Sequence, residues 1–284
     1  MRLIYRILNV FTVSGDRLSG NPLCVFEDGS ALTAKQMQAL ARQLNLSETT
    51  FILPPSRATA RVRIFTPNFE MPFAGHPTLG TAHVVRALQG TGDAVTLELE
   101  AGLVRVTAAG DRWTLQAPKA PTATPAAARA DVARMIGLAE SALAGEPKWI
   151  DTGVQQLVIP IATATDVQRA APVAALVAQH GIRPGGAEAM AYLWAHDPRE
   201  AGRLVVRFFF TQGGAIIEDP ATGSACANLG GYLLETGVAP PFAWTLRQGD
   251  AVQRPSELDL RVDAERRIHV TGSVVELGSG TFEI

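Results

Sequence analysis

The sequence predicts an α+β fold built from two similar halves, each with several strands around at least one buried helix. First, a unit of strand, glycine-bearing turn and helix start occurs once in each half. Second, short β-rich runs outnumber helical stretches along the chain. Third, helix and strand alternate too irregularly for a doubly wound sheet, and no GxGxxG follows the first strand.

The internal repeat comprises residues 70–80, EMPFAGHPTLG, and residues 218–227, EDPATGSACA, which start 148 positions apart. In each, a Pro follows the Glu by two residues and a Gly follows it by five. An Arg-bearing β-like run precedes each turn (VRIFT and VRFFFT), and an apolar helical stretch follows each. We therefore expect two equivalent helix N-termini, one in each half.

The residue types in these turns favour anion binding. Gly permits close backbone approach to a ligand, Pro77 suits the first helical position, and Thr222 and Ser224 are good N-cap types. The first N–H groups of a helix have no partner inside the helix and carry partial positive charge. If the halves face each other, two such termini could hold one small anion.

Composition excludes several classes of protein. A length of 284 residues allows one large domain or two of about 140 residues. A net charge of −2 and a pI near 6.2 give no basic surface for nucleic acid. No apolar run approaches about 18 residues, so we expect no membrane span. Charges interrupt the apolar N-terminus, which is not typical of a signal peptide, and two cysteines favour a reducing cytoplasm.

In the first half, residues 3–13 and 23–26 read as strands separated by the turn SGNP. Thr33 is the expected N-cap of a helix to about Leu44, and Glu48 lies where the chain enters the next strand. The Pro-, Ala- and Thr-rich segment PKAPTATPAAA is the expected linker. It divides the chain into an N-terminal lobe, 1–117, and a C-terminal lobe, 118–284. The remaining predicted elements are strands at 60–66, 95–99, 103–107, 113–116, 156–161, 189–195, 204–210, 244–246, 258–262, 268–270 and 273–275, and helices at 77–88, 130–136, 172–180 and 225–234.

Glu48, His76 and Asp219 are the main candidates for catalysis or ligand binding. A carboxylate beside the apolar strand that follows Glu48 could act as both acid and base, although its local sequence also fits a solvated Glu. His76 begins the first repeat helix and could donate to a ligand, or simply cap the helix. Asp219 could orient a ligand, or be an ordinary turn residue before Pro220.

Other reaction centres are poorly supported. No HExxH, CxxC or paired-His spacing occurs, so no metal or other cofactor is expected. Ser224 in TGSA does not form a GxSxG nucleophile elbow. Cys24 and Cys226, one in each half, would suit a two-thiol racemase, but buried free Cys is usually a small apolar residue.

Four long motifs together resemble one family, the PhzF-like proteins of the phenazine biosynthesis type, within the diaminopimelate epimerase-like fold. A QG…RPS segment at 248–256 also resembles that family. The four motifs are GNPLCVF (20–26), LNLSETTFIL (44–53), RIFTPNFEMPFAGHPTLGTA (63–82) and EDPATGSACANLGGYL (218–233).

The resemblance implies two pseudo-symmetric lobes, each a curved antiparallel sheet wrapped around a central helix, with the last strand crossing to the N-terminal lobe. It also implies a homodimer with its active site in the cleft. The family's acid/base residue falls on Glu48, and its substrate-orienting residues fall on His76 and Asp219. The implied substrate-binding set is Asn21, Ser47, Gly75, His76, Asp219, Thr222, Gly223 and Ser224.

These assignments predict a cofactor-independent isomerase that shifts a double bond on a small carboxylated substrate, with Glu48 moving the proton. A racemase would need a second acid/base group, and the expected equivalent region, residues 153–156, offers only Gln side chains. Two alternatives stay open: a two-base amino-acid epimerase, and a carboxylate-binding protein without catalysis.

Overall fold

The computed structural model describes residues 1–183, 185–186 and 188–284. The chain forms two compact units: unit 1 contains Met1–Gln116 and Thr271–Ile284, and unit 2 contains Ala117–Val270. Within the described ranges, no helix is both long and apolar enough to cross a membrane.

Ten strands and helices precede the junction at residue 117. They are β1 Arg2–Val10, β2 Asn21–Phe26, α1 Ala34–Leu44, β3 Glu48–Leu53, β4 Ala60–Phe65, β5 Glu70–Met71, α2 Gly75–Gln89, β6 Ala94–Leu99, β7 Gly102–Ala109 and β8 Arg112–Gln116.

The remaining elements begin in unit 2. They are β9 Thr122–Pro125, α3 Arg129–Met135, a 3₁₀ turn Glu140–Ala142, β10 Lys148–Asp151, β11 Gln155–Pro160, α4 Ala164–Arg169, α5 Ala174–His180, β12 Met190–His196, β13 Arg203–Gln212, β14 Ala215–Asp219, α6 Gly223–Glu235, β15 Phe242–Gln248, a 3₁₀ turn Asp250–Val252, β16 Ser256–Val262 and β17 Ile268–Glu283. The last strand starts in unit 2 and continues into unit 1.

Unit 1 is a mostly antiparallel sheet around one central helix. Strand β1 pairs antiparallel with β2 and β17, β2 pairs parallel with β3, and β3, β4 and β5 pair antiparallel in sequence. Strand β4 also pairs parallel with β6, which continues antiparallel through β7 to β8. Helix α2 packs against β1, β2, β3 and β6. Its buried residues lie on all sides, as expected for a helix enclosed by a sheet.

Unit 2 repeats that arrangement around α6. Strand β11 pairs parallel with β12, β12 to β14 pair antiparallel in sequence, and β13 pairs parallel with β15. Helix α6 packs against β9, β10, β11 and β16, and its first twelve residues include eleven that are buried. The same order of parallel pair, two hairpins, central helix and parallel return therefore occurs twice. The predicted α+β class and the internal repeat are confirmed.

The structure corrects several local predictions. Helix α2 begins at Gly75, so Pro77 is its third residue; its missing N–H still costs nothing, because the first four N–H groups have no intrahelical partner. The expected linker contains β9, which pairs with β10, so strand pairing overrides its turn-like composition. The two short strands expected at 268–270 and 273–275 form the single strand β17. Helix α4 and strand β10 were not predicted.

Candidate active site

The Glu48 carboxylate and the His76 imidazole meet at the N-terminus of α2. Helix α1 ends at Leu44, and its C-cap, Asn45, adopts a left-handed conformation that turns the chain towards β3, whose first residue is Glu48. Glu48 Oε2 lies 3.1 Å from His76 Nδ1, an ion-pair distance. The side chain of His76 is 4% exposed and that of Glu48 is 16% exposed. Two groups that sequence analysis ranked as chemical candidates are thus in direct contact.

The electrostatics of this pair keep Glu48 ionised. Burial alone would raise the pKa of the Glu48 carboxyl, but attraction to the charge of His76 and hydrogen bonds from His76 and Ser47 outweigh burial. The pKa therefore lies below its ordinary value. His76 Nε2 is buried and has no hydrogen-bond partner within the described ranges, and the buried Glu48 Oε2 has none apart from its contact with His76 Nδ1. A buried carboxylate with an open lone pair can accept a proton from a ligand.

Ser47 and Asn21 flank this carboxylate. The Ser47 hydroxyl donates to Asn21 Oδ1 at 3.1 Å and also contributes to lowering the pKa of Glu48. It has one proton for these two acceptors, so it can change partner when a ligand binds. Asn21 is itself buried, at the start of β2.

The N-terminus of α2 is open at its first turn. Its N-cap, Ala74, makes no side-chain hydrogen bond, and Gly75 and His76 are the first two helical residues. The first backbone hydrogen bond of the helix is donated by the Thr78 N–H to the Ala74 carbonyl. The N–H groups of Gly75 and His76 therefore have no helical acceptor and favour a negatively charged partner.

In unit 2, Asp219, Thr222 and Gln248 form one hydrogen-bonded group at the N-terminus of α6. Asp219 ends β14, is 8% exposed, and its Oδ2 accepts from Thr222 Oγ1 at 2.5 Å. Thr222 is the N-cap residue as predicted by its type, but its hydroxyl does not cap the helix because it binds Asp219 instead. Gln248, which is 1% exposed, donates to the Asp219 carbonyl (2.9 Å) and to Thr222 Oγ1 (3.0 Å), and accepts from Thr222 N (3.3 Å).

Gly223 and Ser224 are the first two residues of α6, so Ser224 is not an N-cap. The Ser224 hydroxyl accepts a hydrogen bond from Gln156 Nε2 at 3.0 Å. Gln156 Oε1 in turn accepts from Asn228 Nδ2 at 2.7 Å. Three of the four predicted substrate-binding residues of unit 2, Asp219, Thr222 and Ser224, are thus each held by a side-chain hydrogen bond.

An Arg–Glu pair ties each repeat turn to the preceding hairpin. Arg63 donates to Glu70 at 2.6 and 2.5 Å, and Arg207 donates to Glu218 at 3.0 and 2.7 Å. Both pairs have the two-pronged geometry that gives such contacts strength and direction. Glu218 therefore has a structural role, and the Glu that opens each motif positions the turn.

The second-half equivalent of Glu48 is Met190, which corrects the expectation that it lies in residues 153–156. Phe51 pairs with Arg63 and Leu193 pairs with Arg207, so the two strands β3 and β12 correspond. Glu48 lies three residues before Phe51, and Met190 lies three residues before Leu193. Gln156 lies instead on β11, the counterpart of β2. Unit 2 thus has an apolar thioether where unit 1 has its carboxylate.

Gln248, Gln156 and Asn228 were not among the residues predicted to form the site. Gln248 belongs to the QG…RPS segment, which carried the only sequence signal for it. Gln156 follows another Gln at the start of an apolar run, and Asn228 is a single amide in an apolar run, so neither is distinctive in the sequence. Their importance comes from contacts that the fold creates.

The thiols of the two cysteines are poorly suited to this chemistry. Both are buried and unpaired. Burial raises the pKa of the Cys24 thiol to about 12 and raises that of Cys226 further. Neither lies at an N-cap of a repeat helix, where Ala74 and Thr222 stand. In the described portion of the chain, no group of three or more His, Cys, Asp or Glu side chains is placed to hold a metal ion.

Comparisons with known proteins agree over nearly the whole chain. Residues 8–280 match the family described as phenazine biosynthesis-like protein, PhzC-PhzF. An uncharacterized isomerase of Pasteurella multocida is 37% identical, with 97% of this chain and 92% of the relative covered. A trans-2,3-dihydro-3-hydroxyanthranilate isomerase of Pseudomonas chlororaphis is 32% identical, with 98% of each covered. The solved structure of a predicted epimerase from Pseudomonas aeruginosa is 31% identical, with a TM-score of 0.82 and 99% of each chain covered.

These matches confirm the predicted fold and the resemblance that four sequence motifs carried. The similarity extends over both units rather than over one motif. The named relatives are isomerases or epimerases. The chain therefore belongs to the phenazine biosynthesis-like (PhzC-PhzF) family and is an enzyme of the isomerase class.

Proposed function

We propose that this protein is a cofactor-independent isomerase that moves a proton between two carbons of a small carboxylated substrate. The observation that carries the proposal is the buried contact between Glu48 and His76, together with Met190 at the equivalent place in unit 2. One proton-transfer group suits a shift on one face of the substrate.

Glu48 would serve first as a base and then as an acid. Its carboxylate takes a proton from a carbon next to an unsaturated system, and the C–H electron pair moves into that system. The proton, now on the Glu48 carboxyl, is then delivered to a different carbon, so the double bond shifts and no atom is gained or lost. A carboxyl with a pKa below its ordinary value is in its base form before the reaction starts.

His76 supports both stages. At 3.1 Å from Glu48 Oε2, its Nδ1 would hold the carboxylate in one orientation. Its buried Nε2 has no regular partner among the described residues and is therefore open to a substrate oxygen or nitrogen. His76 thus fits an orienting role better than an independent proton-transfer role.

The N-terminus of α6 is the proposed carboxylate-binding group of unit 2. The first N–H groups of the helix and the Ser224 hydroxyl favour a negatively charged oxygen, and they would stabilise charge that develops next to it during proton removal. Asp219, held by Thr222, is an acceptor that would suit an amino or hydroxyl substituent of the substrate.

An epimerase is the second candidate, favoured by the name of the related structure from P. aeruginosa. An epimerase that inverts a carbon with two bases needs a group on each face. Met190 cannot transfer a proton, which weighs against a symmetric pair of carboxylates. The name of the P. chlororaphis relative points to cyclic, unsaturated amino carboxylates as the first substrates to try.

The test is an NMR screen in D₂O of unsaturated and amino carboxylates. The isomerase proposal expects a shifted double bond, with any solvent deuterium on the newly protonated carbon. Deuterium at one stereocentre with loss of optical rotation would instead establish the epimerase. Carboxylates that raise the melting temperature but never exchange or rearrange would contradict both.

A further inference from the structure

The hydrogen bonds that lead to Ser224 have a fixed direction, set by a backbone amide. Thr152 N–H, which can only donate, lies 2.9 Å from Asn228 Oδ1. This bond identifies that atom of Asn228 as the oxygen, and Thr152 Oγ1 also donates to it at 2.7 Å. The amide nitrogen of Asn228 must therefore point the other way.

The direction continues through Gln156. Asn228 Nδ2 donates to the Val154 carbonyl at 2.8 Å, an atom that can only accept, and to Gln156 Oε1 at 2.7 Å. Since Gln156 presents its oxygen to Asn228, its Nε2 faces Ser224 Oγ and donates to it at 3.0 Å. Neither amide can flip without placing two donors or two acceptors together.

The hydroxyl hydrogen of Ser224 is thereby left without an acceptor among these residues. A hydroxyl has one proton and two lone pairs, and one lone pair of Ser224 accepts from Gln156. Within the described residues, Ser224 Oγ makes no hydrogen bond in which it donates. Its O–H can only be satisfied by an acceptor that comes from outside this group of residues.

The equivalent place in unit 1 has no such series of hydrogen bonds. Asn228 is matched by Gly80, 148 positions earlier, and Gln156 by Leu23. A Cβ on Gly80 would lie 2.5 Å from Leu23 Cδ2, so this is a close apolar contact. In unit 2 a fully buried Asn228 (0% exposed) and a buried Gln156 (2% exposed) replace it. Burying two amides is costly, and packing does not require it, because the other half closes the same contact with apolar groups.

We propose that Gln156 and Asn228 are positioning residues that hold Ser224 as an obligatory hydrogen-bond donor, so that this terminus selects a carboxylate oxygen of the substrate. The proposal rests on the proposed function only for the identity of the ligand group. Gln156 on β11 and Asn228 on α6 thus fix the direction of the hydroxyl proton of Ser224, which is also on α6.

The first test observes the chain without a ligand. In ¹⁵N-correlated NMR spectra, the Gln156 side-chain amide should be slow to exchange with solvent, and Ser224→Ala should shift it. An amide that exchanges at the rate of an exposed Gln such as Gln43, or that does not respond to Ser224→Ala, would overturn the proposal.

The second test reverses the direction of the hydrogen bond between residue 156 and Ser224, and it uses anthranilate as the probe. Gln156→Glu accepts from both Asn228 and Ser224, which consumes the Ser224 proton, whereas Gln156→Met leaves that proton free. We expect Ser224→Ala and Gln156→Glu to weaken anthranilate binding about tenfold each, and the double variant to be no weaker than Gln156→Glu alone. Gln156→Met should weaken binding less than threefold, on the order of a lost neutral contact.

A purely structural role predicts a different order. Gln156→Met removes more hydrogen bonds than Gln156→Glu, so it would be the more harmful of the two, and its effect would add to that of Ser224→Ala. That pattern, or a wild type that does not bind anthranilate, would overturn the proposal. If anthranilate binding follows the expected order while no carboxylate rearranges or exchanges deuterium, the isomerase function fails and the role of Gln156 stands.

Discussion

Gln248→Met tests whether one buried amide holds the Asp219 turn. The side chain is 1% exposed and makes three hydrogen bonds: to the Asp219 carbonyl, from Thr222 N–H and to Thr222 Oγ1. Met has a similar length and none of these groups. The substitution therefore keeps the packing and removes the polar contacts.

The magnitude follows from the groups that lose a partner. Removing one partner of a buried hydrogen bond costs about 1–3 kcal/mol, and both the Thr222 N–H and the Asp219 carbonyl lose one. The Thr222 hydroxyl keeps its bond to Asp219. Burial of the thioether recovers part of the loss, so we expect a decrease of about 3 kcal/mol in the free energy of unfolding.

Urea denaturation, followed by tryptophan fluorescence, measures this change. The matched control is Gln43→Met, the same substitution at an exposed position of α1, which should stay within about 0.5 kcal/mol of wild type. Equal m-values would show that the denatured state is unchanged. A loss below about 1 kcal/mol for Gln248→Met would refute the view that Gln248 secures this turn.

Three further predictions concern pH, the thiols and the central helix of unit 2. Because the pKa of Glu48 is lowered on folding, its carboxylate stabilises the protein above its ordinary pKa of 4.5 and loses that contribution as the pH falls further. Urea titrations measure the difference in the free energy of unfolding between wild type and Glu48→Gln. This difference should shrink only below about pH 4.5. An equal difference at pH 7 and pH 3 would contradict this. The two buried thiols, with raised pKa values, should react with iodoacetamide at pH 8 only after unfolding, as mass spectrometry can check, and prompt labelling of the native protein would count against their burial. Gly231→Ala places a methyl 2.9 Å from the Ile150 side chain and should cost about 1–3 kcal/mol, whereas Gly92→Ala, which meets open space, should not; equal melting temperatures would contradict the packing.

Local patterns in the sequence were enough to find the repeat and its turns. The Glu-x-Pro-x-x-Gly spacing, the Arg-bearing strand before it and the apolar helix after it are all contiguous, so each half displays them directly. Thr33 illustrates the same point, because its capping box with Gln36 is complete within four residues. Features that depend on neighbours in sequence can be predicted in this way.

The partners of the site residues could not be predicted, since they come from distant parts of the chain. Glu48 meets His76 from 28 positions away, and Gln156 meets Ser224 from 68 positions away. Strand β9 shows the same effect on the fold: its Pro- and Thr-rich sequence favours a turn, but pairing with β10 makes it a strand. The place equivalent to Glu48 was misassigned because only strand register, not spacing, identifies Met190.

The most direct test of the account is the fate of the reacting proton in Glu48→Gln. The amide keeps the shape of Glu48 but cannot take a proton, and the loss of one acid/base group typically costs 10²–10⁴-fold in rate. Glu235→Gln, at an exposed position at the end of α6, is the matched control. We expect Glu48→Gln to bind the substrate and stay folded while isomerisation, and any accompanying deuterium exchange, falls by at least a hundredfold. Isomerisation or exchange at the wild-type rate in that variant would contradict the assignment of Glu48 as the proton-transfer group.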